Sequence, residues 1–179
     1  FYGNGLTDML ISAINDVKKD QKAIVFGYYV NDPEKYGVVE FSESGEVISI
    51  VEKPKFPKSN YAVVGLYFYP NSVVKKAKQI KPSSRGELEI TSINKLYQKE
   101  NNLIVKKLYR GFTWLDAGTH ESMLEASNFI YTIEKTQGLK IACLEEIAFD
   151  KKFIDKKQLA KLCKMYNNSF SEYLKSKLC

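Results

Sequence analysis

Met9, Leu10, Ala13, Ile14 and Val17 recur at helical spacing. The pattern predicts a first helix with Thr7 as its cap, Asp8 in its first turn and the run Lys18-Lys19-Asp20 at its end. Lys22 to Val30 is nearly continuous in apolar and aromatic residues, as in a strand buried on both faces. Asn31-Asp32-Pro33-Glu34-Lys35 is rich in turn formers and leads through Tyr36-Gly37 into a short strand, Val38 to Phe41. Ser42 to Glu46, with its glycine, reads as a hairpin connection, and Val47 to Val51 alternates as the returning strand. Pro54 and Pro57 bracket a polar loop that cannot continue the sheet, and Tyr61 to Tyr69 carries the strongest strand pattern.

Asn71 is placed to cap a helix with Val73, Val74 and Ala77 on its apolar face, broken by Lys81 to Gly86. A further helix follows with Ile90, Ile93, Leu96 and Tyr97 inward, then strands at Leu103 to Leu108 and Phe112 to Leu115. Thr119 caps a long helix striped by Met123, Ala126, Ser127, Ile130 and Ile133, and Gly138 stops it. Strands thus alternate with helices around one inserted hairpin, which predicts an α/β class with a mixed sheet over residues 1–140. In residues 141–179 capping-box spacing recurs twice, at Asp155 with Gln158 and at Ser169 with Glu172, separated by Asn167-Asn168. This stretch reads as a C-terminal helical appendage.

Composition narrows the functional classes. The chain has 179 residues, 44% hydrophobic and 27% charged, within the range of globular proteins. Twenty-seven Lys and Arg against 21 Asp and Glu leave a net charge of +6. That excess favours anionic partners, yet no segment interleaves basic residues with exposed aromatics as nucleic-acid binding needs. No apolar run approaches the roughly 18–20 residues of a membrane span, and a cytoplasmic location is expected. The three cysteines, Cys143, Cys163 and Cys179, are widely spaced and read as reduced thiols. A single histidine, His120, excludes a histidine-rich zinc site and leaves little room for a catalytic triad.

Four clusters carry candidate chemistry. Tyr36-Gly37 stands at a loop-to-strand junction, where a glycine allows close approach of a ligand or merely makes a turn. Glu52-Lys53-Pro54 ends a strand; a carboxylate there accepts sugar hydroxyls and an ammonium binds phosphate, unless the pair is only a polar strand end. Ser83-Ser84-Arg85-Gly86 precedes a helix, an address suited to an oxyanion or to a solvated capping loop. In Trp114-Leu115-Asp116-Ala117-Gly118-Thr119 a lone tryptophan and an aspartate lie between strand and helix. Asp116 has the hard oxygen ligands that Mg²⁺ prefers. His120 and the lysines near Lys151 and Lys156 read as surface residues.

Taken in order, these segments resemble the glucose-1-phosphate thymidylyltransferases, sugar nucleotidyltransferases that make dTDP-glucose. The matching strings begin with Asn31-Asp32-Pro33-Glu34-Lys35-Tyr36-Gly37-Val38-Val39-Glu40-Phe41, Glu52-Lys53-Pro54 and Lys58-Ser59-Asn60-Tyr61-Ala62-Val63. Gly65-Leu66-Tyr67-Phe68-Tyr69, Arg85-Gly86-Glu87-Leu88-Glu89-Ile90-Thr91 and Trp114-Leu115-Asp116-Ala117-Gly118-Thr119-His120 follow, with Glu125-Ala126-Ser127-Asn128-Phe129-Ile130 last. The resemblance spans essentially the whole sequence, the helical tail included. It implies a partial Rossmann-like nucleotidyltransferase domain with an inserted hairpin.

The resemblance further implies a reaction of dTTP with glucose-1-phosphate, dependent on Mg²⁺, that releases pyrophosphate and serves deoxysugar (dTDP-rhamnose type) and surface polysaccharide biosynthesis. Tyr36, Gly37, Val63 and Trp114 would line the sugar pocket, and Glu52 would accept hydrogen bonds from glucose hydroxyls. Lys53 and Arg85 would hold the phosphate, and Asp116 would supply one metal carboxylate. Lys53, Arg85 and Asp116 are therefore the expected catalytic set. The family's glycine-rich nucleotide loop, its base-reading glutamine and glycine, and its Gly-Asp-Asn metal strand do not occur in these residues. The chain on its own is thus expected to be inactive, and a homo-oligomer is expected for the family. A relative using another nucleotide or hexose phosphate, or a non-catalytic sugar-phosphate-binding or assembly module, remains open at this stage.

Overall fold

A computed structural model of the chain describes residues 1–178. They divide into two compact units, Phe1–Leu115 and the residues from Asp116 onward. The division falls ahead of the boundary at 140 suggested by the sequence, and the long helix groups with the tail.

In the first unit, β1 (Tyr2–Gly3) and α1 (Leu6–Asp20) precede β2 (Ala23–Tyr29). The hairpin strands β3 (Gly37–Phe41) and β4 (Val47–Glu52) are followed by β5 (Tyr61–Phe68). Helices α2 (Val73–Ala77) and α3 (Ile90–Lys99) then lead to β6 (Leu103–Leu108) and β7 (Phe112–Thr113). Five strands form one sheet in the order β4-β3-β5-β2-β6, with β2 and β6 parallel and the other pairs antiparallel. The mixed sheet and inserted hairpin thus appear as expected.

β2 explains its own hydrophobicity. Ala23 and Val25 face a core shared with Val39, Val63, Ile93 and Tyr97, while Ile24 and Phe26 face the opposite core with Ala13 of α1. Alternate side chains therefore enter different layers, α3 covering one face and α1 the other. Ile24, Val25 and Phe26 are fully buried, each stabilising the fold by about 1.5–3 kcal/mol. β5 pairs with β2 along its length but with β3 only through Val38↔Ala62 and Val39↔Tyr61. The sheet curls enough that the Lys107 ammonium of β6 lies 3.9 Å from the Phe41 ring centroid and 4.9 Å from that of Tyr61.

Several boundaries differ from the sequence pattern. α1 begins after Gly5, whose carbonyl accepts from Met9 N–H, so Thr7 lies inside the helix and caps nothing. Ser72, not Asn71, precedes α2, and its hydroxyl pairs with that of Tyr97. Val74 and Ile90 are exposed rather than inward; the buried face of α3 is Thr91, Ile93, Asn94 and Tyr97. The strand expected over Phe112 to Leu115 is the two-residue β7, paired among the described residues with β1 alone.

The second unit holds α4 (His120–Gln137), α5 (Leu144–Asp150), α6 (Lys156–Cys163) and α7 (Ser169–Ser176). Thr119 caps α4 through Ser122 N–H, and Gly138 ends it in the left-handed region at φ 69°. None of the stripe expected on α4 is fully buried, and Met123 is exposed. Asp155 and Gln158 form the predicted capping box. α7 is capped by Asn168, whose carboxamide oxygen accepts from Phe170 and Ser171 N–H, so Ser169 is the first helical residue. The sequence pattern also missed α5. Leu159, Cys163, Leu174 and Cys143 form the core of this unit, with both cysteines as free thiols; Cys179 lies outside the described residues.

Candidate functional site

The junction between β3 and β4 gathers most of the candidate residues of the first unit. Gly37 opens β3 and Glu52 closes β4, and antiparallel register sets them opposite each other. Cross-strand partners share a face of the sheet, so the Glu52 side chain lies across the glycine. A Cβ added at Gly37 would stand 3.2 Å from Glu52 Oε2 and 3.0 Å from Thr91 Oγ1. The Thr91 hydroxyl donates to Glu52 Oε2 and fixes the carboxylate from the first turn of α3. Val63, 8% exposed, lies beneath them, its Cβ 4.0 Å from that same added position.

Lys53 follows immediately. It stands beyond the end of β4 at φ 41°, so strand alternation, which would set it on the face opposite Glu52, does not govern it. Its N–H donates to the Tyr36 carbonyl at 2.9 Å, tying the end of one strand to the start of the other, while its side chain is exposed. The Tyr36 ring meets Trp114 edge-on, centroids 4.9 Å apart. Trp114 packs in turn against Tyr28, whose hydroxyl donates to the Phe112 carbonyl at 3.0 Å. Tyr36, Gly37, Glu52, Lys53, Val63 and Trp114 are thus linked by direct contacts or through shared neighbours.

Two contributors were not singled out from the sequence. Thr91 is 3% exposed and orients Glu52. A threonine in a helix's first turn reads as a propensity choice, and only its burial marks it. Tyr67 is the other: burial pushes its phenol above the ordinary range, and the Glu52 charge pushes it further in the same direction. Tyr67, Tyr69 and Tyr97 stack at 6.1 and 5.6 Å behind the carboxylate, and the Tyr69 hydroxyl donates to the carboxamide oxygen of the fully buried Asn94.

Arg85 stands apart. Its guanidinium pairs with Glu87 at 3.0 Å and with Glu89 at 3.4 Å, both in its own loop. Asp116 begins the second unit, exposed, with its carboxylate folded against Gly118, where an added Cβ would approach Oδ2 to 3.1 Å. Among the described residues no group of three or more His, Cys, Asp or Glu side chains could hold a metal ion. Asp116 alone offers one hard oxygen ligand, which fits a Mg²⁺ held mainly by substrate phosphates rather than by a protein cage. No helix among the described residues is long and apolar enough to cross a membrane.

A carboxylate fixed by a neighbouring hydroxyl, an aromatic pair and an exposed lysine next in sequence are groups that suit a polyhydroxylated anion. The family model described as Nucleotidyl transferase matches residues 1–133. The glucose-1-phosphate thymidylyltransferase of Xanthomonas campestris pv. campestris (strain B100) is 51% identical over 175 residues, 97% of this chain and 58% of that protein. The enzyme of the same name from Mycolicibacterium smegmatis is 46% identical, over 97% of this chain and 59% of its own. Among solved structures, UDP-glucose pyrophosphorylase complexed with UDP-glucose is similar at TM-score 0.58 and 28% identity, over 66% of this chain and 47% of that one. The chain therefore spans less than two thirds of these relatives.

Proposed function

The chain belongs to the nucleotidyl transferase family, and from that premise we propose that it is the sugar-phosphate-binding part of a glucose-1-phosphate thymidylyltransferase, joining dTTP and glucose-1-phosphate to dTDP-glucose and pyrophosphate. The observation that carries this reading is the Glu52 carboxylate laid across Gly37 and held by Thr91. A carboxylate already fixed by one hydrogen bond keeps acceptor positions for hydroxyl donors and loses little freedom on binding them. The Tyr36–Trp114 pair supplies an apolar edge for the C–H face of a hexose. The exposed Lys53, joined on phosphate binding by Arg85, neutralises the phosphate ester.

The chemistry asks for alignment more than for proton transfer. The phosphate oxygen of glucose-1-phosphate is ionised near pH 7, so its attack on the α-phosphorus of dTTP needs no general base, and pyrophosphate leaves in line. Glu52 and Gly37 hold the sugar, and Lys53 and Arg85 offset the crowding of phosphate charge. Asp116 would hold Mg²⁺, which when bound neutralises phosphate charge further. The nucleotide cradle belongs, on this reading, to the part of the relatives that these 179 residues do not span. Val63, Val64, Tyr67 and Phe68 of β5 pair on the β2 side alone among the described residues, which leaves a ladder edge for another strand. A homo-oligomer, a cytoplasmic location and a place in deoxysugar synthesis for surface polysaccharides belong to the same proposal.

Calorimetry on the chain as it stands, with pyrophosphate release followed in parallel, tests the reading. Glucose-1-phosphate is expected to bind the unaltered chain, and Glu52→Ala to weaken it at least about tenfold, since losing a hydrogen bond to a charged group costs roughly 1.5–3 kcal/mol. Pyrophosphate release from dTTP with Mg²⁺ is expected to stay at the level of a Lys53→Ala control. Equal affinity in both proteins, or turnover above the control, would contradict the proposal.

A further inference from the structure

Every hydrogen bond and ion pair described for residues 83–88 closes within the loop formed by residues 83–89. Gly86 N–H donates to the Ser83 carbonyl at 2.9 Å and Ser83 N–H to the Glu87 carbonyl at 2.8 Å, a tight turn that Gly86 permits at φ 78°. Inside it the Arg85 guanidinium is shared between two carboxylates that differ in their surroundings. Glu89 is 12% exposed and also accepts from the Ser83 hydroxyl at 3.1 Å, so it is a fixed anchor. The Glu87 side chain is 59% exposed and held by the guanidinium. Its carbonyl, not its carboxylate, serves the turn, so the carboxylate can swing into solvent with the turn intact.

We infer that Glu87 is an intramolecular counter-ion that competes with phosphate for Arg85, an inference that rests on the reading of Arg85 as a phosphate-holding residue. With both carboxylates in place the cluster carries one positive and two negative charges and repels an anion. A phosphate ester displaces Glu87, while Glu89 keeps the guanidinium in place. With Glu87 displaced the remaining Arg85–Glu89 pair is neutral and no longer repels an anion, the phosphate takes the vacated N–H donors, and Glu87 sets the threshold concentration. An exposed ion pair of this kind shifts an equilibrium by up to about fivefold.

The test titrates the chain with inorganic phosphate and with glucose-1-phosphate by calorimetry, at about 20 mM and about 500 mM salt, where screening lengths differ severalfold. Glu87→Gln is expected to tighten both ligands about two- to fivefold at low salt, with the gain fading at high salt. Arg85→Ala is expected to weaken both, and the double variant to match Arg85→Ala. Should Glu87→Gln leave affinity unchanged while Arg85→Ala lowers it, the counter-ion inference is overturned and the reading of Arg85 stands. Unchanged affinity in Arg85→Ala overturns both, as does absence of binding in both the unaltered chain and Glu87→Gln. Glu87 is exposed, so its replacement leaves the fold intact.

Discussion

At Gly37 an added methyl is crowded, and its neighbours must give by a few tenths of an ångström to admit it. The two groups nearest an added Cβ, Thr91 Oγ1 and Glu52 Oε2, are already bonded to each other, so making room for it shifts the pair. Gly37→Ala is therefore expected to cost about 1–3 kcal/mol of stability and to lower glucose-1-phosphate affinity at least about tenfold. Chemical denaturation and calorimetry on one preparation measure the two effects. Unchanged affinity would show that the Glu52–Thr91 geometry has no part in binding. The sequence left this glycine open between close approach of a ligand and a plain turn. What approaches was not legible: Thr91 lies 54 positions further along the chain and reaches Glu52 only after α3 packs on the sheet. Nor does local pattern reveal that Arg85 is neutralised by its own loop, since an Arg-Gly-Glu-Leu-Glu string is equally compatible with a free guanidinium.

Among the elements, β5 carried the strongest strand pattern, and β2, buried on both faces, left little polar alternation to misread. Caps were less clear. Thr7, Asn71 and Ser169 are all competent capping residues, yet the helices start at Leu6, Val73 and Ser169 because tertiary packing or a neighbouring asparagine fixes the register. In the second unit, packing between helices is written in charge. The Glu146 carboxylate of α5 is pushed up by burial, but hydrogen bonds from Lys177 and Tyr173 outweigh this and leave it below its ordinary value of 4.5. Glu134 on α4 is lowered likewise by Lys140 and the Ile141 N–H. A carboxylate depressed in the folded state contributes its full stability above the unfolded value and loses it as pH falls through the folded one. The chain is accordingly expected to lose stability on acidification below about pH 4.5, and Glu146→Gln to show a shallower loss between pH 6 and 3. Melting curves followed by circular dichroism measure the difference; equal slopes would mean that these pairs are already broken in solution.

For the molecule as a whole, the sheet positions the chemistry. α1 and α3 cover its two faces, so the site sits where the β3–β4 hairpin departs from β5. The α/β class and the inserted hairpin followed from periodicity, whereas the division at Leu115 and Asp116 depends on contacts that no local pattern encodes. The site residues of the first unit cluster around Gly37 and Glu52, and Arg85 waits in a loop of its own. The central claim, that this cluster receives a hexose phosphate, is tested most directly by mapping amide and indole NMR shifts during titration with glucose-1-phosphate. The account predicts saturable shifts at Tyr36, Gly37, Glu52, Lys53, Val63 and the Trp114 indole, with the Arg85 loop following. Shifts confined to the polar cavity of about 630 Å³ near Lys22, Glu46, Gln98 and Asn101, with the Gly37 and Trp114 signals unmoved, would contradict it.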